Sequence, residues 1–196
     1  SLHDALPIYR IGDAVVVPAA LLLRLALVAV TKAFGVRQRS VRDIVFHRPL
    51  ELPDDEPRTV QVVLRGTPGD VTFECYQAGS GEDGASGAPG ASFTLLASGT
   101  VVTGAPVEER PHPLDEIRSR CRTELSADPF YRSLADTGLH YGPNLRVVDT
   151  LWRRDGETLA ALSPARTGGA GGNVGDLDAA AVVDAGVRAL AATLDR

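Results

Sequence analysis

The chain is poor in the features that mark several large classes of protein. It has two cysteines in 196 residues, Cys75 and Cys121, far apart in sequence and outside any C-x-x-C pair. That usage supports neither a disulfide framework nor a zinc site, and it fits a reducing cytoplasm. There is no run of Lys and Arg, and a net charge of -5 argues against a nucleic-acid partner. A membrane-length apolar run is lacking too. Ala14 to Ala29 is apolar apart from Arg24, but Pro18 divides the stretch, and the uninterrupted run is shorter than the roughly 20 residues a span requires. The expectation is a strand followed by a buried helix, with Pro18 at or near the first helical position and Gly35 as the stop. What is present suffices for an ordinary fold: at 44% hydrophobic residues, a chain of this length supports one or two domains with real cores.

After the helix the hydrophobic period changes. Ser40 to Leu52, Thr59 to Gly66, Asp70 to Gln77 and Ser92 to Thr103 are β-rich runs. Turn residues separate them: Pro53-Asp54-Asp55, Thr67-Pro68-Gly69, and a Gly/Ser/Ala-rich stretch from Ala78 to Ala91. A near-uniformly apolar helix, Ala19 to Val30, followed by antiparallel strands suggests a sheet wrapped around one central helix with little solvent face. Residues 106–113, with three prolines and two glutamates, read as a linker. Beyond it come a short helix over Asp128 to Asp136 and a hairpin pairing Leu145 to Arg154 with Glu157 to Ser163. The Asp155-Gly156 pair between these runs signals a type I′ turn. A loop with five glycines, Thr167 to Gly175, precedes a last helix over Asp178 to Leu194.

Three segments carry candidate chemistry. Tyr9 to Pro18 reads Tyr-Arg-Ile-Gly-Asp-Ala-Val-Val-Val-Pro, with Asp13 in its middle. Leu139-His140-Tyr141-Gly142-Pro143 is a turn whose tyrosine either binds something or, with Gly142 and Pro143, simply punctuates the chain before a strand. Ala181 to Leu190 is a helix in which Asp184 stands among Val182, Val183, Val187 and Leu190. An unpaired carboxylate there is costly, and burial would raise its pKa and fit it to donate a proton. The plain alternative is an aspartate that caps the helix or faces solvent. Arg188, one turn later, can pair with Asp184 at i, i+4, which would depress the carboxyl and weaken it as an acid, or it can turn to solvent or to a phosphate. His140 reads as a structural strand-entry residue, and His47 and His112 are assigned nothing.

In this order the motifs resemble those of the dehydratase domains of modular polyketide synthases. Tyr9, Asp13 and Pro18 fall on the His, Gly and Pro of the family's H-x-x-x-G-x-x-x-x-P, so only the proline matches. His3 and Leu6 fall where the family has H-P-W-L-x-D. His140 to Pro143 looks like the G-Y-G-P turn, and Ala181 to Leu190 like the A-L-L-D-A-A-L-Q/H-A-L helix. The resemblance implies an α+β double hot-dog fold, each half an antiparallel sheet wrapped around a central helix. It divides the chain into an N-terminal half at 1–105, a linker at 106–113 and a partial, incomplete second half at 114–196. It further implies elimination of water from a 3-hydroxyacyl thioester carried on the phosphopantetheine of an acyl carrier protein, with no cofactor or metal of the domain's own. Tyr9 then stands at the base and Asp184 at the acid, with Asp13, Pro18, Tyr141, Gly142, Pro143 and Arg188 around the substrate. The implied partners are acyl carrier protein, the other synthase domains, and a second copy through a dimeric parent synthase. A thioesterase of the same fold is the competing enzyme class, disfavoured by the spacing of the three motifs.

Two departures bear on activity. Tyrosine, with a pKa near ~10, is a poor base at neutral pH, where histidine serves unperturbed. The chain as written is therefore expected to be inactive. Ser1 to Ile8, SLHDALPI, is similar to one reading frame of a common short-read sequencing adapter, and we read these eight residues as non-native. A terminal T from that adapter would convert a histidine codon at position 9 into a tyrosine codon. The alternative is a native Tyr9 in a degenerate, inactive domain kept for packing or carrier-protein contact. Asp13, in the place of the family glycine, sets a carboxylate near a developing enolate unless it turns away.

Overall fold

A computed structural model describes residues 8–36, 39–53, 56–79, 92–103, 112–163 and 182–189. The readings of residues 1–7, of most of the Ala78 to Ala91 stretch and the 106–113 linker, of the glycine loop and of the last helix beyond 189 lie outside them. The chain divides into two compact units, one formed by Leu21–Glu109 and the other by Ser1–Ala20 with Arg110–Arg196.

The Leu21–Glu109 unit sets an antiparallel sheet beside most of helix α1 (Ala19–Phe34). Its strands are β3 (Arg39–Phe46), β5 (Val60–Thr67), β6 (Asp70–Ala78) and β7 (Phe93–Thr103), in the order β3-β7-β6-β5, and a short β4 (Leu50–Glu51) belongs to the same unit. Strand β6 shows why the sequence read as β: Val71, Phe73 and Cys75 are buried while Asp70 and Thr72 are exposed, the period of two that a sheet with one covered face requires. The Cys75 thiol, pushed up to about 11 by burial, donates to the Leu22 carbonyl at 3.7 Å and ties the sheet to the helix. Along α1, Leu22, Leu23, Ala26 and Val30 form the buried line. Leu25 is 38% exposed, so the uniform apolarity of this helix does not reflect enclosure on every side. Pro18 is fully buried and immediately precedes α1, where its missing N-H costs nothing. Gly35, at φ +69°, ends the helix with its N-H on the Thr31 carbonyl at 2.8 Å.

The second unit holds two small sheets. In one, β2 (Ala14–Val17), β1 (Tyr9–Ile11) and β9 (Leu139–Tyr141) lie side by side and antiparallel, in the register Tyr9↔Val16 and Tyr9↔Tyr141. In the other, β8 (Thr123–Ser126), β10 (Val148–Arg154) and β11 (Glu157–Leu162) are antiparallel. Helices α2 (Leu114–Arg120) and α3 (Ala127–Asp136), a 3-10 turn (Pro143–Leu145) and the helical residues 182–189, here α4, also belong to it. Phe130 and Tyr131 of α3, Val147, Val148 and Leu151 around β10, and Ala185 and Ala189 of α4 share one core with Tyr9 and Val16. The Thr158 hydroxyl of β11 donates to the Ala189 carbonyl at 3.2 Å, anchoring the end of α4.

Two expectations change. The β10-β11 turn has its left-handed residue at Gly156 (φ +73°) alone, and Asp155 is not left-handed. A type I′ turn needs both, so the turn is another type; glycine takes the conformation that a Cβ on Asp155 would penalise. Val182, Val183 and Val187 are exposed, so they are not what buries Asp184.

Gly99 of β7 lies opposite Phe73 of β6. A Cβ on it would stand 2.8 Å from the buried Phe73 ring and 3.3 Å from the Arg42 carbonyl. Neither the packed ring nor the backbone can yield cheaply. Gly99→Ala is therefore expected to lower the unfolding free energy by about 1–3 kcal/mol, read as a reduced denaturant midpoint at unchanged slope; an unshifted midpoint would show that the ring moves freely.

Candidate active site

Four of the side chains singled out from sequence meet in the second unit. The pairing of β1 with β9 places Tyr9 directly opposite Tyr141, and their rings stack with centroids 5.9 Å apart at 25°. The Tyr141 hydroxyl donates to Asp184 Oδ2 at 3.0 Å, joining β9 to α4. The Arg188 guanidinium lies over the Tyr9 ring, 5.3 Å from its centroid, within cation-π range. The cluster draws together positions 9, 141, 184 and 188, and only the last two are near neighbours in sequence.

Asp184 is 6% exposed. Two influences favour its charged form, the Tyr141 hydroxyl and the charge of Arg188, and one opposes it, burial. Burial is the largest, so the carboxyl is held above its ordinary value. No Arg188–Asp184 ion pair occurs among the described side chains; the guanidinium lies over the Tyr9 ring and beside Tyr141, and its charge lowers the Asp184 carboxyl by less than burial raises it. Arg188 itself is partly buried; burial opposes its charge, yet the surrounding Tyr141, Asp184 and Tyr9 keep it firmly protonated. Its Nε is buried without a hydrogen-bond partner among the described residues.

Both tyrosines are held as neutral phenols. Tyr9 is raised chiefly by burial, with Arg188 pulling the other way and Asp184 adding to the rise. Tyr141 is raised by burial and then by the Asp184 charge beside it. A neutral phenol donates a hydrogen bond and does not abstract a proton. Tyr141 is thus suited to orient a carboxyl, and Tyr9 is even less suited to act as a base than its type suggests.

The remaining sequence candidates shape the surroundings. Gly142 N-H donates to the Ile8 carbonyl at 3.3 Å, and a Cβ on residue 142 would come within 2.9 Å of that oxygen, so the close approach of the two chains needs glycine. Pro143 opens the 3-10 turn that follows. Asp13 is exposed in the β1-β2 turn beside Gly12, at φ +58°, away from the buried cluster. One participant was not singled out from sequence. Tyr131 of α3 lies with its ring 5.6 Å from that of Tyr141; its only signal was an aromatic on the buried face of a short helix.

Comparisons with known proteins agree over most of the chain. Residues 3–78 match the family described as "Polyketide synthase dehydratase domain", and residues 109–174 match "Polyketide synthase dehydratase N-terminal domain". The chain is 30% identical over 171 residues to the spectinabilin polyketide synthase system protein NorA of Streptomyces orinoci, covering 86% of this chain and 9% of that protein. It is 28% identical to the polyketide synthase PksN of Bacillus subtilis over 76% of this chain, which is 3% of that protein. Among solved structures, a trans-AT polyketide synthase dehydratase domain from Brevibacillus brevis superposes with a TM-score of 0.77 at 25% identity, over 92% of this chain and 62% of that one. The dehydratase domain of the CurF module of curacin polyketide synthase gives 0.76 at 19% identity, over 94% of this chain and 64% of that one. These likenesses bear out the α+β double hot-dog class. With the two family matches and the motifs in their order, the chain belongs to the polyketide synthase dehydratase domain family.

Proposed function

We propose that this domain carries the acid half of a dehydration in which a 3-hydroxyacyl thioester on the phosphopantetheine of an acyl carrier protein becomes the enoyl thioester. A base at position 9 removes a proton from C2. Asp184 gives its proton to the C3 hydroxyl, which leaves as water as the C2–C3 double bond forms. No cofactor beyond the carrier's arm is needed. The acyl carrier protein and other synthase domains are the proposed partners, with a second copy of the parent synthase. The observation that carries this reading is the Asp184 carboxyl, held above its ordinary value by burial against Tyr141 in spite of a nearby guanidinium. A proton donor for a poor leaving group requires that balance.

Tyr9 limits the chain as written. A buried phenol pushed further up by desolvation removes no C2 proton at neutral pH. Its close packing against Tyr141 and Arg188 favours the second reading, an inactive dehydratase-like domain with a structural or carrier-contact role. One experiment separates the two. With a 3-hydroxyacyl pantetheine thioester and mass-spectrometric detection of water loss, the domain carrying Tyr9 is expected to show only background. Tyr9→His in a completed domain is expected to raise turnover by on the order of 100-fold or more. No recovery would favour the inactive reading.

The state of Asp184 is also testable through stability. Because folding raises its pKa, its contribution to stability is fully present below the unfolded value near ~3.9 and is lost as pH rises through the folded value. Asp184→Asn keeps the shape and an acceptor for Tyr141. It is expected to raise the unfolding free energy at neutral pH, with the gain shrinking as the solution is acidified through the raised folded value and gone once the pH is below the unfolded value near ~3.9. Denaturant titrations across that range measure it, and a less stable Asn variant at neutral pH would mean that the charged partners outweigh burial.

A further inference from the structure

Tyr131 is not itself among the residues placed around the substrate, yet its ring lies against Tyr141, the residue whose hydroxyl meets Asp184. Its side chain is buried on α3. Its hydroxyl accepts the Val148 N-H at 3.0 Å and donates to the Leu145 carbonyl at 3.5 Å. Those two backbone groups lie at the far end of the segment that runs from Tyr141, through Gly142 and the 3-10 turn, into β10. Its ring lies 5.6 Å from the Tyr141 ring at 55° and 5.0 Å from Phe130 at 66°. The Arg146 guanidinium covers it at 4.7 Å. Tyr141 is thus gripped twice by one residue, through its own ring and through the backbone that follows it. Tyr141 also meets the Tyr9 ring, Asp184 and Arg188.

We propose that Tyr131 is a positioning residue that fixes Tyr141 in the orientation from which its hydroxyl meets the Asp184 carboxylate. The proposal rests on the reading of Asp184 as the proton donor, because that reading is what gives the orientation of Tyr141 a consequence. The physical argument is geometric. A hydrogen bond at 3.0 Å is lost when a ring tilts by a fraction of an ångström to an ångström at its tip, and a tyrosine anchored only at its Cα has that freedom. Two aromatic contacts and a pinned backbone remove it. A merely structural Tyr131 would stabilise the core and leave the Asp184 titration untouched.

The test uses the intact chain and follows the Asp184 side-chain carboxyl by carbon NMR as pH is varied. Tyr141→Phe removes the hydrogen bond that favours the charged carboxylate and is expected to shift the Asp184 midpoint upward. Tyr131→Phe keeps the ring and deletes only the hydroxyl; it is expected to shift the midpoint in the same direction by part of that amount. The double variant should titrate like Tyr141→Phe alone, since both act through one bond. An unmoved midpoint in a folded Tyr131→Phe, or shifts that add in the double variant, would overturn the proposal. If Tyr131→Phe does not fold, the unsubstituted chain still decides it. Proton contacts from the Tyr131 ring to both the Val148 amide and the Tyr141 ring, with a slowly exchanging Val148 amide, support the clamp, and their absence overturns it. Because none of these readouts is turnover, an inactive Tyr9→His domain would count against the proposed reaction and leave this result standing.

Discussion

A carboxyl group shut away from water at Asp184 is the constraint around which the second unit is arranged. An aspartate that is 6% exposed must find partners, lose its charge, or both. Here it takes a hydrogen bond from a phenol and keeps a raised pKa. A phenol is a suitable partner because it stays neutral and so adds no second charge to the desolvated space. An arginine in direct contact would have stabilised the carboxylate and removed the proton that the proposed chemistry needs. The guanidinium of Arg188 is near enough to matter but is turned toward the Tyr9 face, where the aromatic quadrupole rather than the carboxylate receives it.

The strand register transmits this constraint across the chain. Tyr141 reaches Asp184 from β9, and β9 is positioned by β1, whose Tyr9 faces Tyr141 across the ladder. Slipping that pairing by one residue would bring Arg10, exposed in the present register, opposite Tyr141 and turn the β1 side chains to the other face. Gly142 matters for the same reason: its lack of a Cβ lets the chain after Tyr141 close on the Ile8 carbonyl and hold the strand ends together. The site is therefore a property of pairing between segments more than a hundred residues apart, with α4 closing it from a third direction.

That dependence explains which parts were legible from the residues alone. Strands β5, β6 and β7, the stop at Gly35, helix α3 and the β10-β11 hairpin follow from local period and turn chemistry, and they stand close to where those signals put them. The order of the motifs put Tyr141 and Asp184 in one candidate site, and their side chains do meet. Helix α2 was missed because it buries no residue and shows no apolar face; Arg120 on Glu157 at 2.6 Å and Arg118 over the Trp152 ring hold it from outside. Strand β8 is four residues long and exists through its pairing with β10. The valines around Asp184 misled because apolar identity does not tell which way a helix turns: the inward positions are Asp184, Ala185 and Ala189, and Val182, Val183 and Val187 face outward. Tyr131 gave only the signal of an aromatic on the buried face of a short helix, because the contact it makes with Tyr141 is set by tertiary packing.

Position 9 shows how the same surroundings act on different side chains. Burial raises the pKa of a phenol and lowers that of an imidazole, because it always disfavours the charged form. The Arg188 charge lowers both. For Tyr9 the two effects oppose each other and burial is the larger, which leaves a neutral phenol with nothing to accept a proton at pH 7. For an imidazole in the same place they would reinforce each other and favour the neutral ring, the form a base requires. Across the site burial drives Asp184 the opposite way, toward its protonated form, which is the form an acid requires. A single dry pocket with one cation to the side of Asp184 would therefore set base and acid apart in pKa without a metal or a second carboxylate. With tyrosine at position 9 the proposed arrangement lacks its base, while the burial and the cation beside that position are present.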